Sequence, residues 1–175
     1  MKSTGIIRRI DELGRIVIPK EIRKNLRIKE GENLEIYIEN DNIILKKYSL
    51  LKNLTDIAAI YVEVLNSLIK DNIVIIDSDT VIAASGKYKK KIINKEISEE
   101  MAISLKRRES ILETHKKNLK ITDFEIECTY SIHSIVVGGD SVGLVIIFKE
   151  EDVIDEKIDD ICMVTANFLA KYLED

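Results

Sequence analysis

The sequence predicts an α+β protein of two domains, with a small β-rich domain over residues 1–52 and an α/β domain over residues 53–175. Three observations support this division. Charge is split along the chain, because residues 1–29 carry nine Lys/Arg and three Asp/Glu whereas residues 53–175 carry 15 and 23. The first part alternates apolar and polar residues in strand-length runs. The second part has long helical spacing at both ends and apolar strand-like runs between them.

The composition is that of a globular protein, with 45% apolar and 33% charged residues among 175. No apolar run approaches the roughly 20 residues that cross a bilayer. The N-terminus lacks the apolar core of a signal peptide. We expect the two cysteines to be reduced thiols in a cytoplasmic protein. A basic first domain on an acidic second one indicates that the first domain alone meets an anionic partner.

The first domain opens with two short predicted strands. "GIIRRI" over 5–10 and "GRIVI" over 14–18 have strand composition, and Gly14 marks a tight turn between them. The first strand carries Arg8 and Arg9, which alternation would point to opposite faces, and Arg15 opens the second.

A short helix is predicted to follow. Pro19 suits the first helical position, where its missing N–H leaves no hydrogen bond unmade. One face of this helix carries Lys20, Arg23, Lys24 and Arg27, and the opposite face carries Ile22 and Leu26 for burial. Like charges at this spacing repel each other, and a bound polyanion would relieve the repulsion.

A hairpin completes the first domain. "NLEIYI" over 33–38 alternates in the manner of a half-buried strand, with Leu34, Ile36 and Ile38 on the apolar side. "IILKKY" over 43–48 pairs back through the turn "ENDN". About 50 residues without disulfides or a metal bury little surface alone. We therefore expect an obligate dimer.

Residues 1–48 resemble the swapped-hairpin DNA-binding domain of the AbrB-like transition-state regulators, most clearly in "STGI-RR-DELGR-VIP-E-R". The resemblance implies a β-barrel dimer of interleaved hairpins whose basic residues contact double-stranded DNA. Carried over by motif, the contacts are Arg8, Arg9, Arg15, Arg23 and Lys24. Lys24 stands where arginine is frequent in the family. Lysine keeps the charge without the bidentate fork, so we expect a phosphate contact there. Lys46 and Lys47 are expected to be solvated charges of an edge strand.

The second domain is predicted to begin and end with coiled-coil-type helices. In the helix over 49–70 the seam is Leu54, Ile57, Tyr61, Val64 and Leu68. In the helix over 152–174, capped by Asp152, it is Ile154, Ile158, Ile161, Thr165, Phe168 and Tyr172. Both helices could simply cover their own sheet. Our expectation is that they bundle with a partner, so that dimers join into a homotetramer.

The segment between these helices resembles a GAF domain. Strands are predicted over 72–86 and 130–149, and a helix over 95–110 with Ser98 as its cap. The Asn-Lys-Phe-Asp-Glu signature of cyclic-nucleotide-binding GAF domains is absent. A sensor for an unknown small-molecule effector and a purely architectural oligomerisation domain both remain open, and no cofactor is expected.

Catalysis and metal binding find little support. Cys128 and His133 have no accompanying nucleophile motif, and Cys162 lies on a helix where a small buried group is the ordinary interpretation. His115 has no closely spaced partner, and there is no CxxC pair. "GGDSVG" lies between two predicted strands, so it is a hairpin turn and not a phosphate loop. We expect a protein that is not an enzyme.

The resemblance of both domains implies regulation of sporulation genes, by an activator or repressor that binds promoter DNA through paired N-terminal domains and is associated with the nucleoid. A second reading is an antitoxin that neutralises a toxin and binds its own promoter. Antitoxins with such domains usually continue into a short toxin-wrapping tail, whereas about 125 residues patterned for a folded core follow here. A third reading is a ligand-sensing core without physiological DNA binding.

Overall fold

The structure, a computed structural model, describes residues 5–28, 30–31, 33–48 and 55–174. The chain divides into two compact units, Met1–Tyr48 and Ser49–Asp175. The boundary predicted after residue 52 and the predicted seam residue Leu54 both lie outside the described residues. In the described ranges no helix combines the length and apolar character needed to cross a membrane.

The N-terminal unit contains one short helix and one hairpin. Helix α1 spans Lys20–Asn25, strand β1 spans Leu34–Glu39 and strand β2 spans Asn42–Lys47. The two strands pair antiparallel. Asn40 and Asp41 turn the chain with φ of 45° and 62°. Two successive positive φ angles give a turn whose twist matches that of paired strands, and Asn and Asp tolerate them better than most residues. The predicted hairpin is confirmed.

Residues 5–10 and 14–18 were predicted to be strands, and neither is a strand in this chain. A turn joins them, in which the Asp11 N–H donates to the Arg15 carbonyl and the Gly14 N–H donates to the Asp11 carbonyl, both at 3.0 Å. Among the described residues of this unit, β1 and β2 pair only with each other. The two segments therefore have no ladder partner in the part of the chain that the structure describes. We call residues 5–18 the arm.

Helix α1 differs from its prediction at both ends. Pro19 is the N-cap, with ψ of 146°, so the helix begins one residue later than expected. It ends at Asn25, and Arg27 adopts a left-handed φ of 52°. Arg27 is therefore not part of the helical basic face. Ile22 is half-buried, but Leu26 is exposed.

A single N-terminal unit leaves much of its apolar surface open to solvent. Ile36 and Ile38, predicted to be buried, are 66% and 84% exposed. In the arm Ile7 is 89% exposed, and Leu13 and Val17 are nearly as open. The alternation was read correctly as an apolar face, and among the described residues this face stays exposed. Clustered apolar exposure of this kind marks an interaction surface.

The C-terminal unit is built on one five-stranded antiparallel sheet in the order β4-β3-β7-β6-β5. Its elements, in chain order, are α2 (Thr55–Ile69), β3 (Asn72–Ile76), β4 (Val81–Ser85), α3 (Lys89–Ile92), α4 (Glu99–Arg107), β5 (Ser110–Lys120), β6 (Glu125–Val137), β7 (Asp140–Lys149) and α5 (Glu156–Glu174).

Both faces of this sheet are buried. Ile73 and Ile75 pack under α2 and α5, whereas Val74 and Ile76 pack towards α3 and α4. This explains why β3 reads as an uninterrupted apolar run. Gly86 follows β4 with φ of +88°, and a Cβ there would lie 2.6 Å from the Asn72 side-chain oxygen.

Several predicted elements of this unit need correction. The helix predicted over 95–110 is only α4, because Ser110 already begins β5. The Ser98 cap is confirmed, since its Oγ accepts from the Met101 N–H at 3.2 Å. Asp152 does not cap the last helix. Asp155 does, and its carboxylate accepts from the Ile158 N–H at 3.0 Å.

The predicted helix seams are partly wrong. Ile154, Ile158 and Thr165 are buried in the core between α5 and the sheet, and Ile57 and Ile161 pack against that core. The helical spacing was right, but its partner is the domain's own sheet. The aromatic rings of Tyr61 and Phe168 stack with centroids 5.0 Å apart and join α2 to α5.

An apolar surface remains on the outer side of these two helices. We call it the helix patch, and its members are Ile60, Val64 and Leu68 on α2 with Val164, Phe168 and Tyr172 on α5. All six are between 42% and 74% exposed. Four of them were predicted as seam residues. Ile60 and Val164 were missed, although each lies four residues before a predicted seam residue.

Candidate nucleic-acid interface

Five basic side chains were predicted to contact DNA, and all five are exposed in the N-terminal unit. Arg8 and Arg9 lie in the arm, Arg15 follows the turn of the arm, and Arg23 and Lys24 lie in the last turn of α1. A cation in the last turn of a helix also stabilises the carbonyl end of the helix dipole. Of the five, Arg15 alone has an ion pair within the described residues.

Arg8 and Arg9 were expected to point to opposite faces of a strand. Because the arm is not part of a sheet in the single chain, both side chains reach solvent. Lys20 is exposed as well and extends the basic surface of α1 to its first residue.

Arg15 is held by Asp11, an interaction that the sequence reasoning missed. The Arg15 Nε donates to Asp11 Oδ2 at 2.8 Å. The other carboxylate oxygen, Oδ1, accepts from the backbone N–H groups of Arg15 at 2.8 Å and Leu13 at 3.0 Å. Hydrogen bonds from the Arg15 backbone and side chain hold the pKa of Asp11 below its usual range. The signal was an aspartate just before a glycine turn, where Asx turns form.

Lys46 and Lys47, predicted as edge charges, lie on β2. The Lys46 ammonium lies 4.7 Å from the centroid of the Tyr37 ring on the paired strand. Such a cation–π contact at an exposed site contributes about 0.5–1 kcal/mol. Lys47 is half-buried.

The cysteines and His115, which were considered as candidates for catalysis or metal binding, lie in different environments. Cys128 and Cys162 are buried free thiols, and burial raises the pKa of each to about 12. They therefore remain protonated at neutral pH. Across the described ranges, no group of three or more His, Cys, Asp or Glu side chains could hold a metal ion. His115 is exposed on β5.

His133 belongs to a polar cluster beneath α5. Its Nε2 lies 2.9 Å from Asp159 Oδ1, and the Ser131 Oγ donates to the same oxygen at 2.7 Å. Ser131 and His133 are buried on β6, and Asp159 comes from the first turns of α5. The cluster fixes this helix to the sheet through satisfied polar groups.

A small open cleft of about 390 Å³ lies beside α4 and the turn between β5 and β6. It is lined by Lys95, Glu96, Ile97, Thr122 and Asp123. The Lys95 ammonium bonds both carboxylate oxygens of Asp123, at 2.8 and 3.0 Å, across this cleft.

Comparison with known proteins assigns both parts of the chain. Residues 53–174 match the family "Stage V sporulation protein T C-terminal, transcription factor". The whole chain is 42% identical over 177 residues to stage V sporulation protein T of Bacillus subtilis (strain 168), and the match covers 99% of each protein. The chain belongs to the stage V sporulation protein T family. As a transcription factor family, it confirms the class of function predicted from the sequence.

The N-terminal residues have two further relationships. They are 62% identical over 48 residues to the transition state regulatory protein AbrB of the same organism, a match that covers 27% of this chain and 50% of AbrB. Residues 7–52 also match the family "Antidote-toxin recognition MazE, bacterial antitoxin". The resemblance to the AbrB-like domain is confirmed.

Solved structures confirm the fold of the C-terminal unit. The GAF domain of PixJ from Thermosynechococcus elongatus is 15% identical, with a TM-score of 0.56 over 73% of this chain and 89% of that one. The GAF domain of an Acinetobacter phosphoenolpyruvate-protein phosphotransferase is 11% identical, with a TM-score of 0.53 over 73% and 84%. In this member of the stage V sporulation protein T family the C-terminal unit has the GAF fold.

Proposed function

We propose that this sporulation transcription regulator binds duplex promoter DNA through a pair of N-terminal units. The contacts are made by Arg8, Arg9, Arg15, Arg23 and Lys24. One observation carries the proposal. Among the described residues, the unit that displays these exposed cations also keeps residues 6–18 of its arm outside any sheet and its apolar side chains open to solvent. A second copy would provide strand partners for the arm and would cover the apolar face. It would also double the positive charge presented to the DNA.

The chemistry of the five side chains indicates how DNA would be read. Arginine and lysine contacts to phosphates set affinity and register, and they make binding depend steeply on salt. Residues 1–24 contain no Asn or Gln, the side chains that read adenine. Specificity therefore rests on arginine–guanine contacts and on the shape and bendability of the duplex.

The second part of the proposal assigns residues 53–175 to assembly. The helix patch presents six partly exposed apolar side chains on two adjacent helices. Two dimers that cover each other's patches would form a homotetramer. This pairing uses a surface of the C-terminal unit, whereas the first pairing uses surfaces of the N-terminal unit.

Whether the GAF unit also senses a small molecule is a separate part of the proposal. The cleft at Lys95 and Asp123 offers one cation, carboxylates and a hydroxyl to a small polar effector. A thermal-shift screen of the full chain tests this, because a ligand that favours the folded state raises its melting temperature. If no metabolite raises the melting temperature, the result supports a purely architectural role for the GAF unit. In either case we propose that the protein is associated with the nucleoid and is not an enzyme.

An antitoxin remains the second candidate, because residues 7–52 match an antitoxin family. Against it stands the folded GAF unit, which occupies the part of the chain where a toxin-wrapping tail is expected. Chromatin capture during sporulation separates the two. A regulator occupies many promoters, whereas an antitoxin occupies its own operon and copurifies with a toxin.

The site assignment is tested by fluorescence anisotropy with a labelled promoter duplex. Arg23→Ala is expected to weaken binding at least tenfold while the mass of the oligomer stays unchanged. Arg107→Ala is the matched control, since it removes the same charge from an exposed position on α4. Normal binding by Arg23→Ala, or equal weakening by both variants, would show that the interface is assigned wrongly.

A further inference from the structure

The Asp11 carboxylate divides its two oxygens between different tasks. Oδ1 accepts the backbone N–H groups of Leu13 and Arg15 and so shapes the turn of the arm. Oδ2 accepts the Nε–H of the Arg15 side chain at 2.8 Å. A carboxylate so close to a DNA-binding surface repels phosphates and lowers general affinity. Its position is therefore unfavourable for simple phosphate binding.

The hydrogen bond to Nε restrains the Arg15 guanidinium but leaves its terminal N–H groups available. Arginine has five N–H donors in a planar fork, and Asp11 takes only the one on Nε. The Arg15 side chain is 72% exposed, so its two terminal nitrogens remain accessible. Bidentate recognition of guanine requires those two nitrogens in a fixed plane. Fixing the plane before binding reduces the side-chain entropy that binding would otherwise lose.

We propose that Asp11 is a positioning residue, which orients the Arg15 guanidinium so that Arg15 discriminates between DNA sequences and does not serve as a general phosphate contact. This inference rests on the proposed function and deepens it. In this proposal Arg15 contacts bases. Asp11 increases the sequence specificity of binding and lowers the affinity for DNA in general.

Asparagine separates the two tasks of Asp11. In Asp11→Asn the side-chain oxygen can still accept the backbone N–H groups of the turn, but the amide nitrogen cannot accept from Arg15 Nε. Glu12→Gln is the matched control, because it removes the same charge from the adjacent exposed residue. Arg15→Lys keeps the charge of Arg15 and the carboxylate of Asp11 but loses the fork.

The experiment uses the full-length chain and two duplexes of equal length. One is a sequence selected from a random library by the wild-type protein, and the other is a random-sequence pool. Anisotropy at one salt concentration gives the ratio of the two affinities. Asp11→Asn is expected to lower this ratio about tenfold, which matches the discrimination that one bidentate contact provides. Its affinity for the random pool is expected to stay level or to rise, as we also expect for Glu12→Gln. In an Arg15→Ala background, Asp11→Asn is expected to leave the ratio unchanged.

Three results would overturn the proposal. Asp11→Asn could raise both affinities equally, as a general charge effect does. It could lower the ratio as much with Arg15→Ala as without it, as a change in the turn does. If Asp11→Asn lowers the melting temperature, Arg15→Lys decides, and a wild-type ratio in that variant refutes base reading by Arg15. Failure of the wild-type protein to bind either duplex would instead refute the proposed function.

Discussion

Replacing Leu68 with alanine tests the role of the helix patch. Leu68 lies on α2 and is 74% exposed in the single chain. Complete burial of a leucine side chain contributes about 1.5–3 kcal/mol, so covering its exposed part contributes roughly 1–2 kcal/mol. When two dimers cover each other's patches, four copies of Leu68 are covered, and the loss is about 4–8 kcal/mol. Since 1.4 kcal/mol is tenfold, the dissociation constant between dimers should rise at least on the order of 1,000-fold.

Sedimentation velocity over a range of concentrations measures this change. The wild-type protein should sediment with four times the mass of the 20.0 kDa chain, and Leu68→Ala should fall to half that mass at low concentration. Ile103→Ala is the control, because Ile103 is 43% exposed on α4, which packs on the opposite face of the sheet. A tetramer that persists equally in both variants, or a wild-type protein that never exceeds a dimer, would refute the role of the patch.

Four further predictions concern the C-terminal unit. Because burial raises the pKa of Cys128 and Cys162 to about 12, iodoacetamide at pH 8.5 should modify neither thiol until urea unfolds the chain; rapid labelling of the native protein would contradict this. The folded state holds the two thiol protons more tightly than the unfolded state does. The contribution of the thiols to the free energy of unfolding is therefore complete below about pH 9 and is lost towards about pH 12. The urea midpoint should fall over that interval. Gly86→Ala should destabilise the fold by roughly 1–3 kcal/mol, since it combines a positive φ with a Cβ only 2.6 Å from Asn72; an unchanged urea midpoint would be the contrary result. Asp159→Ala should cost about 1–3 kcal/mol because two polar side chains of β6 lose their acceptor, and a wild-type melting temperature would count against that cluster.

Local signals in the sequence predicted local structure well. The turn at Asn40 and Asp41 and the cap at Ser98 depend on the chemistry of a few adjacent residues, and both are confirmed. Strand β5 was missed because it is an edge strand with an irregular register between Glu113 and Lys117. Charged residues are common in edge strands, and they interrupt the alternation of apolar and polar residues by which a strand is predicted.

Signals that depend on a distant partner were ambiguous. The spacing of Ile154, Ile158 and Thr165 fits a helix seam and a sheet-facing stripe equally, and only the fold shows that the sheet takes them. The interaction of Asp11 with Arg15 requires the turn between them to form first, so composition alone does not reveal it. The basic residues of the proposed interface were predicted from their identity and spacing. The structure shows that they are exposed, and their contact with DNA stays a prediction.

The salt dependence of DNA binding tests the central claim most directly. A pair of N-terminal units that makes about eight phosphate contacts should give a slope near −7 in log K against log salt concentration. Arg23→Ala, which removes one cation from each unit, should make that slope shallower by about 2. A wild-type slope near zero, or an Arg23→Ala slope equal to that of the wild type, would contradict the claim that paired N-terminal units hold DNA through these side chains.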